Sequence, residues 1–116
     1  MDISHLHLHV RDRDRATAFY RRWFGLTVQK EGESITFLNG TRDFLLALMA
    51  DPAPEPPPAW FHFGVRLPAP DAVRDLLARM EGASVPIAKA LYISDTLVSF
   101  RCRDPDGYAI EAYWAT

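Results

Sequence analysis

Ile3-Ser-His-Leu-His-Leu-His-Val10 alternates apolar and polar residues, and Trp60-Phe-His-Phe-Gly-Val-Arg-Leu67 alternates in the same way. In the first stretch Leu6, Leu8 and Val10 fall on one face and His5, His7 and His9 on the other. In the second, Phe61, Phe63, Val65 and Leu67 oppose His62, Gly64 and Arg66. A period of two is the signature of a strand with one buried face. Laid over each other, the two stretches match His5 to His62, with apolar residues at the next position and at the third after each.

The chain beyond each of these strands repeats as well. After the first comes a helix from about Arg13 to Phe24, with Asp12 placed to cap its start and Gly25 to stop it. Ala16, Phe19, Tyr20 and Trp23 form its apolar stripe. Strands are predicted at about Leu26–Lys30, Ser34–Leu38 and Phe44–Ala50, with Asn39-Gly40 as a turn between the last two. After the second opening strand comes a helix from about Asp71 to Met80, stopped near Gly82, with Val73, Leu76, Leu77 and Met80 as its stripe. Strands are predicted at about Val85–Tyr92, Leu97–Cys102 and Tyr108–Trp114. Asp104-Pro-Asp-Gly107 has the residues of a type I turn. Each half therefore reads strand, helix, strand, strand, strand. The chain is a duplication, an α+β fold of two βαβββ modules, at about 2–50 and 60–114, in one domain.

Asp51-Pro-Ala-Pro-Glu-Pro-Pro-Pro-Ala59 separates them. Prolines this dense remove backbone donors and exclude helix and central strand, so 51–59 reads as a stiff linker. The chain has 116 residues, 48% hydrophobic and 24% charged, as expected of a packed domain. A formal net charge of -2 gives no basic field for nucleic acid. No apolar run approaches a membrane span. Met1 is followed by Asp2 and no apolar signal region, so the cytoplasm is the expected address. The single cysteine, Cys102, alternates with Val98 and Phe100 and reads as a buried thiol.

A four-stranded sheet with one helix buries one face, and the other must meet a partner sheet or a ligand. That other face carries His5, His7, His62, Arg66 and Glu111. Glu111 lies between Ile110 and Ala112, which turn toward the helix, so its carboxylate turns the other way. A lone carboxylate there is costly unless paired or metal-bound. Two imidazoles and a carboxylate suit Fe(II) or Mn(II) with open positions. They also suit zinc with a bound water. The run Arg11, Arg13, Arg15, Arg21 and Arg22, interleaved with Asp12 and Asp14, reads as a solvated helix face, and His9 as a solvated strand end.

Three segments together resemble the glyoxalase–bleomycin resistance–extradiol dioxygenase (vicinal oxygen chelate) superfamily. They are Ile3 to Asp12 followed by Ala18-Phe-Tyr20 and Phe24-Gly-Leu26, His62-Phe-Gly-Val-Arg-Leu67, and Asp104-Pro-Asp-Gly-Tyr-Ala-Ile-Glu111. The resemblance covers nearly the whole chain. It implies curved mixed sheets around a metal-binding cleft, with His5, His62 and Glu111 as ligands. The implied metal is Fe(II) or Mn(II), with Zn(II) or Ni(II) as alternatives. It implies an enzyme acting on a small oxygen-chelating substrate by dioxygenase-, lyase- or isomerase-type chemistry. A ligand-sequestering protein of the bleomycin-resistance kind is the alternative. Glyoxalase I enzymes of the superfamily use a fourth ligand, a Glu, where Phe44-Leu-Leu-Ala47 puts Ala47, which cannot coordinate. The potassium-binding loop of fosfomycin-modifying members is not recognisable near Ser94-Asp-Thr96. Extradiol members need an acid–base His and Tyr near the metal, places that His7 and Tyr113 can take. The resemblance to small single-chain members also implies a homodimer, with His5 and His62 of one site coming from different chains.

Overall fold

The computed structural model describes all residues from Met1 to Thr116. The first unit, residues 1–56, runs β1 (His5–Val10), α1 (Arg13–Phe24), β2 (Thr27–Glu31), β3 (Ile35–Asn39) and β4 (Leu45–Ala50). The second, residues 57–116, runs β5 (His62–Arg66), α2 (Pro70–Gly82), β6 (Ile87–Ile93), β7 (Leu97–Arg103) and β8 (Ala109–Ala115). Each is a βαβββ module, as the alternation and helix stripes predict. The opening strands start two residues later than expected in both modules. Ile3 is 92% exposed and Trp60 is 75% exposed, so neither has a packed face to join.

The two sheets have the same plan, ordered β1-β4-β3-β2 and β5-β8-β7-β6. In each, the opening strand pairs parallel with the last, and the other pairs are antiparallel. The register carries the duplication to single residues. His5 lies opposite Leu45 and His7 opposite Ala47, while His62 lies opposite Ala109 and Gly64 opposite Glu111. Ala47 and Glu111 therefore hold the same place in the two sheets. Across the next strand, Phe37 lies opposite Ala47 and Arg101 opposite Glu111, so these two are equivalent as well.

Helix α1 starts where Asp12, in extended backbone, accepts from Arg15 N through its side chain. It ends on Gly25, left-handed at φ 66, whose N–H reaches back to Arg21 and Tyr20 carbonyls. Its inner face buries Ala16, Thr17 and Tyr20 over β3 and β4, where Leu38, Leu46 and Leu48 are buried. Helix α2 has no side-chain cap at Ala69 and starts on Pro70, a residue suited to a first turn. Val73, Leu76 and Met80 are buried under it, and Phe100, Cys102, Ile110 and Ala112 are fully buried in the strands it covers. Burying a side chain of the Val, Leu, Met or Phe kind is worth about 1.5–3 kcal/mol, so these contacts outweigh the missing cap.

The β3–β4 connection falls at Asn39-Gly40 as expected and runs over residues 40–44, with Arg42 and Asp43 left-handed at φ 59 and 61. One expectation is corrected. Arg13 is not simply solvated. Its guanidinium donates to Gly32 O, Thr36 Oγ1 and Glu33 O and ties the start of α1 to the β2–β3 hairpin. Asp104-Pro-Asp-Gly107 forms the expected turn. Gly107 N bonds to Asp104 O, and the buried Asp104 carboxylate accepts from Asp106 N and Tyr108 N. Residues 51–58 form no helix or strand. No helix is long and apolar enough to cross a membrane.

Candidate functional site

Strand alternation sorts the second unit's side chains. Phe100, Cys102, Ile110 and Ala112 turn toward α2 and are wholly buried. Arg101, Glu111 and Tyr113 therefore emerge on the opposite face, where His62 of β5 joins them. His62 Nε2 and Glu111 Oε2 are 3.8 Å apart, with side chains 33% and 24% exposed. His62 Nδ1 lies 3.2 Å from Trp60 O. A carbonyl only accepts, so Nδ1 carries the hydrogen and Nε2 presents its lone pair to the site. Fixing the outer ring nitrogen on a backbone carbonyl is how metal-binding histidines are commonly oriented.

The residue that occupies that lone pair is absent from the candidates that alternation and resemblance single out. Arg101 Nη2 donates to His62 Nε2 at 3.3 Å. Its Nε is buried and has no hydrogen-bond partner. A sealed donor without an acceptor costs about 1–3 kcal/mol. The signal for Arg101 is present in the sequence: it alternates with Phe100 and Cys102 and sits beside Glu111 across an antiparallel pair. Only the register makes it a neighbour of His62.

Tyr113 lies farther along the same face. A Cβ built on Gly64 would meet Tyr113 Cε1 at 3.1 Å, so the glycine lets the ring lie close over β5. The Arg66 guanidinium carbon is 5.9 Å from the centre of that ring, and Arg66 donates to Ala115 O, which makes it a structural residue of the β5–β8 edge.

In the first unit His5, His7 and His9 are exposed along β1. His5 Nδ1 is 3.1 Å from Ser4 Oγ. The His7 ring packs edge-on against His9, with centroids 5.1 Å apart. His9 is also 2.9 Å from Asp51, which holds the Asp51 carboxyl below its ordinary value, chiefly through that hydrogen bond and then the one from Ala53 N. His9 is thus exposed, as expected of a strand end, and also held to Asp51 just past the last strand of its module.

Neither unit gathers three His, Cys, Asp or Glu side chains into a group that could hold a metal. The second unit supplies two donors with complementary chemistry, an imidazole lone pair and a carboxylate. The first supplies His5 at the equivalent register. The His62–Glu111 pair fits one edge of a divalent metal's coordination shell, with the Arg101 guanidinium bonded to one of its two donor atoms.

The same fold recurs in solved structures. A glyoxalase/bleomycin resistance protein/dioxygenase family enzyme from Burkholderia phytofirmans matches with TM-score 0.85 at 18% identity, covering 100% of both chains. A genomically encoded fosfomycin resistance protein from Listeria monocytogenes matches with TM-score 0.84 at 18% identity, covering 100% of this chain and 94% of the other. Lactoylglutathione lyase from Agrobacterium tumefaciens matches with TM-score 0.78 at 22% identity, over 97% and 92%. No curated protein matches the sequence. Residues 2–112, which span both modules and every candidate ligand, match the family profile itself, and the chain belongs to the Glyoxalase/Bleomycin resistance protein/Dioxygenase superfamily.

Proposed function

We propose that this chain is a metal-dependent enzyme of its superfamily, acting on a small substrate that offers two oxygens. Its metal would be held by His62 Nε2, Glu111 and His5. The observation that carries this reading is the His62–Glu111 pair at 3.8 Å, with the His62 Nδ1 hydrogen already committed to Trp60 O. The donor set suits Fe(II) or Mn(II) first, with Zn(II) or Ni(II) as alternatives. A divalent ion held there supplies Lewis acidity to the substrate oxygens. The chain's own residues do the rest. Glu111 offsets the charge of the ion, and Trp60 O keeps the His62 ring in register. The phenol of Tyr113 and the imidazole of His7 are the groups on these faces able to hold or pass a proton. Ala47 stands where a fourth ligand would come from the first sheet, which leaves a coordination position open.

Because His5 lies in the other unit, the set is completed either within one chain or across a homodimer. We take the homodimer as the working arrangement, since the stiff proline linker favours reaching to a partner. A second reading has a specific observation behind it. Arg101 already occupies the His62 lone pair, as in a protein that binds its ligand without metal and without turnover.

The deciding experiment is a titration of protein, purified anaerobically, with Mn(II) and Zn(II), comparing wild type with Glu111→Gln. The amide keeps the shape of the carboxylate and removes its charge. The metal reading expects one ion per site and an affinity loss of at least about tenfold in the variant. Equal affinity in the two proteins, or no uptake by wild type, leaves the sequestering reading.

A further inference from the structure

The geometry points to Arg101 as an anion-binding residue, so that the small molecule taken by this face carries a carboxylate. This deepens the reading of the face as a ligand site but does not depend on a metal being bound there.

Three observations converge on Arg101. Its guanidinium is incompletely satisfied: Nη2 bonds to an imidazole at 3.3 Å, and Nε is buried without a partner. A guanidinium has five N–H donors in a rigid fork and no acceptor, so a single imidazole lone pair cannot satisfy it. Second, the fold does not require a cation at this place. The equivalent position in the first sheet, opposite Ala47 as Arg101 is opposite Glu111, is Phe37. A phenyl ring and a guanidinium serve the same backbone register, so the charge has a use beyond packing. Third, the neighbours set a charge pattern. Lys89 is the register partner of Arg101 on β6, and Glu111 is its partner on β8. Two cations beside one carboxylate leave a positive excess for an incoming anion.

The planar fork of arginine matches a planar carboxylate through two parallel hydrogen bonds. A singly charged carboxylate also meets less repulsion from Glu111 than a doubly charged phosphate would. The Tyr113 ring, lying close over Gly64, offers apolar surface on the same face for the body of the molecule.

The test uses the full-length protein freed of metal on a chelating resin, observed by NMR at the Arg101 Nε–H and His62 ring resonances. The probes are acetate, acetamide as its uncharged isostere, and inorganic phosphate. Acetate should shift both residues to saturation, and acetamide should not. Arg101→Gln should weaken the acetate response of His62 by at least about tenfold, the scale of a charge-assisted bidentate contact. Arg101→Phe, which copies the residue at the equivalent place, should do the same and serves if the glutamine variant folds poorly. An acetate response that is absent, matched by acetamide or unchanged in the variants overturns the inference. Phosphate saturating at a lower concentration than acetate overturns the carboxylate assignment. Metal uptake in the Mn(II) titration is an independent readout, so the metal and the anion site can fail separately.

Discussion

Cys102 shows how one residue's environment fixes its chemistry. It is fully buried, and its thiol is pushed from 9.0 up to about 12. Desolvation is the main cause; a smaller backbone hydrogen bond opposes it, and the charge of Asp104 adds a lesser push upward. The folded state binds this proton more tightly than the unfolded chain does. The resulting stability is complete below about pH 9 and is lost as pH rises toward 12. Native protein should therefore leave a thiol reagent unreacted at about pH 8 and react at one equivalent only when unfolded. Between about pH 9 and 11 wild type should lose stability more steeply than Cys102→Ala, as followed by denaturant midpoints. A fast native reaction would place the thiol at the surface and contradict its burial. The buried-thiol reading required only the alternation of Val98, Phe100 and Cys102. Arg101, one residue away, escapes notice when the same strand is read for its apolar face alone.

Among the elements, the two helices are held in different ways. Helix α1 has local signals at both ends, the Asp12 cap and the left-handed Gly25, together with the Arg13 tie to the hairpin. Helix α2 begins at Pro70 after Ala69, which supplies no capping side chain, and relies on Val73, Leu76 and Met80 beneath it. Asp12→Ala removes the acceptor for Arg15 N and should cost about 1 kcal/mol. In urea this should appear as a lowered midpoint with an unchanged slope. A cost near zero would mean that tertiary contacts alone hold the helix start. Asp12 is identifiable from sequence because a cap is a contact between residues three apart. The Arg13 contacts are not, because their acceptors lie about twenty residues away on another element.

For the whole molecule, the proposed metal set can be tested for completion within one chain or across a homodimer. In a homodimer with shared sites, mixing His5→Ala with His62→Ala protein puts both lesions in one site of each mixed dimer and none in the other. After subunit exchange at equal concentrations, half the dimers are mixed, so about a quarter of all sites should regain metal binding. Sites built within a single chain would regain none. Metal uptake measured before and after exchange distinguishes the two arrangements.

The sequence by itself determined the duplication. Period-two strands, three-and-four helix stripes, turn residues and caps are local properties, and they repeat in order on both sides of the proline run. It also determined that Ala47 replaces a carboxylate, since that needs only the two halves laid over each other. Strand ends were less legible, because whether Ile3 or Trp60 joins a ladder depends on what packs against it. The tertiary structure alone decided which side chains meet. The 3.8 Å approach of His62 and Glu111 and the seat of Arg101 on the His62 Nε2 both rest on strand register, whereas the Nδ1 contact with Trp60 O is local. Register is set by pairing between residues far apart in the chain, such as His62 with Ala109 and Gly64 with Glu111, and no local pattern encodes it.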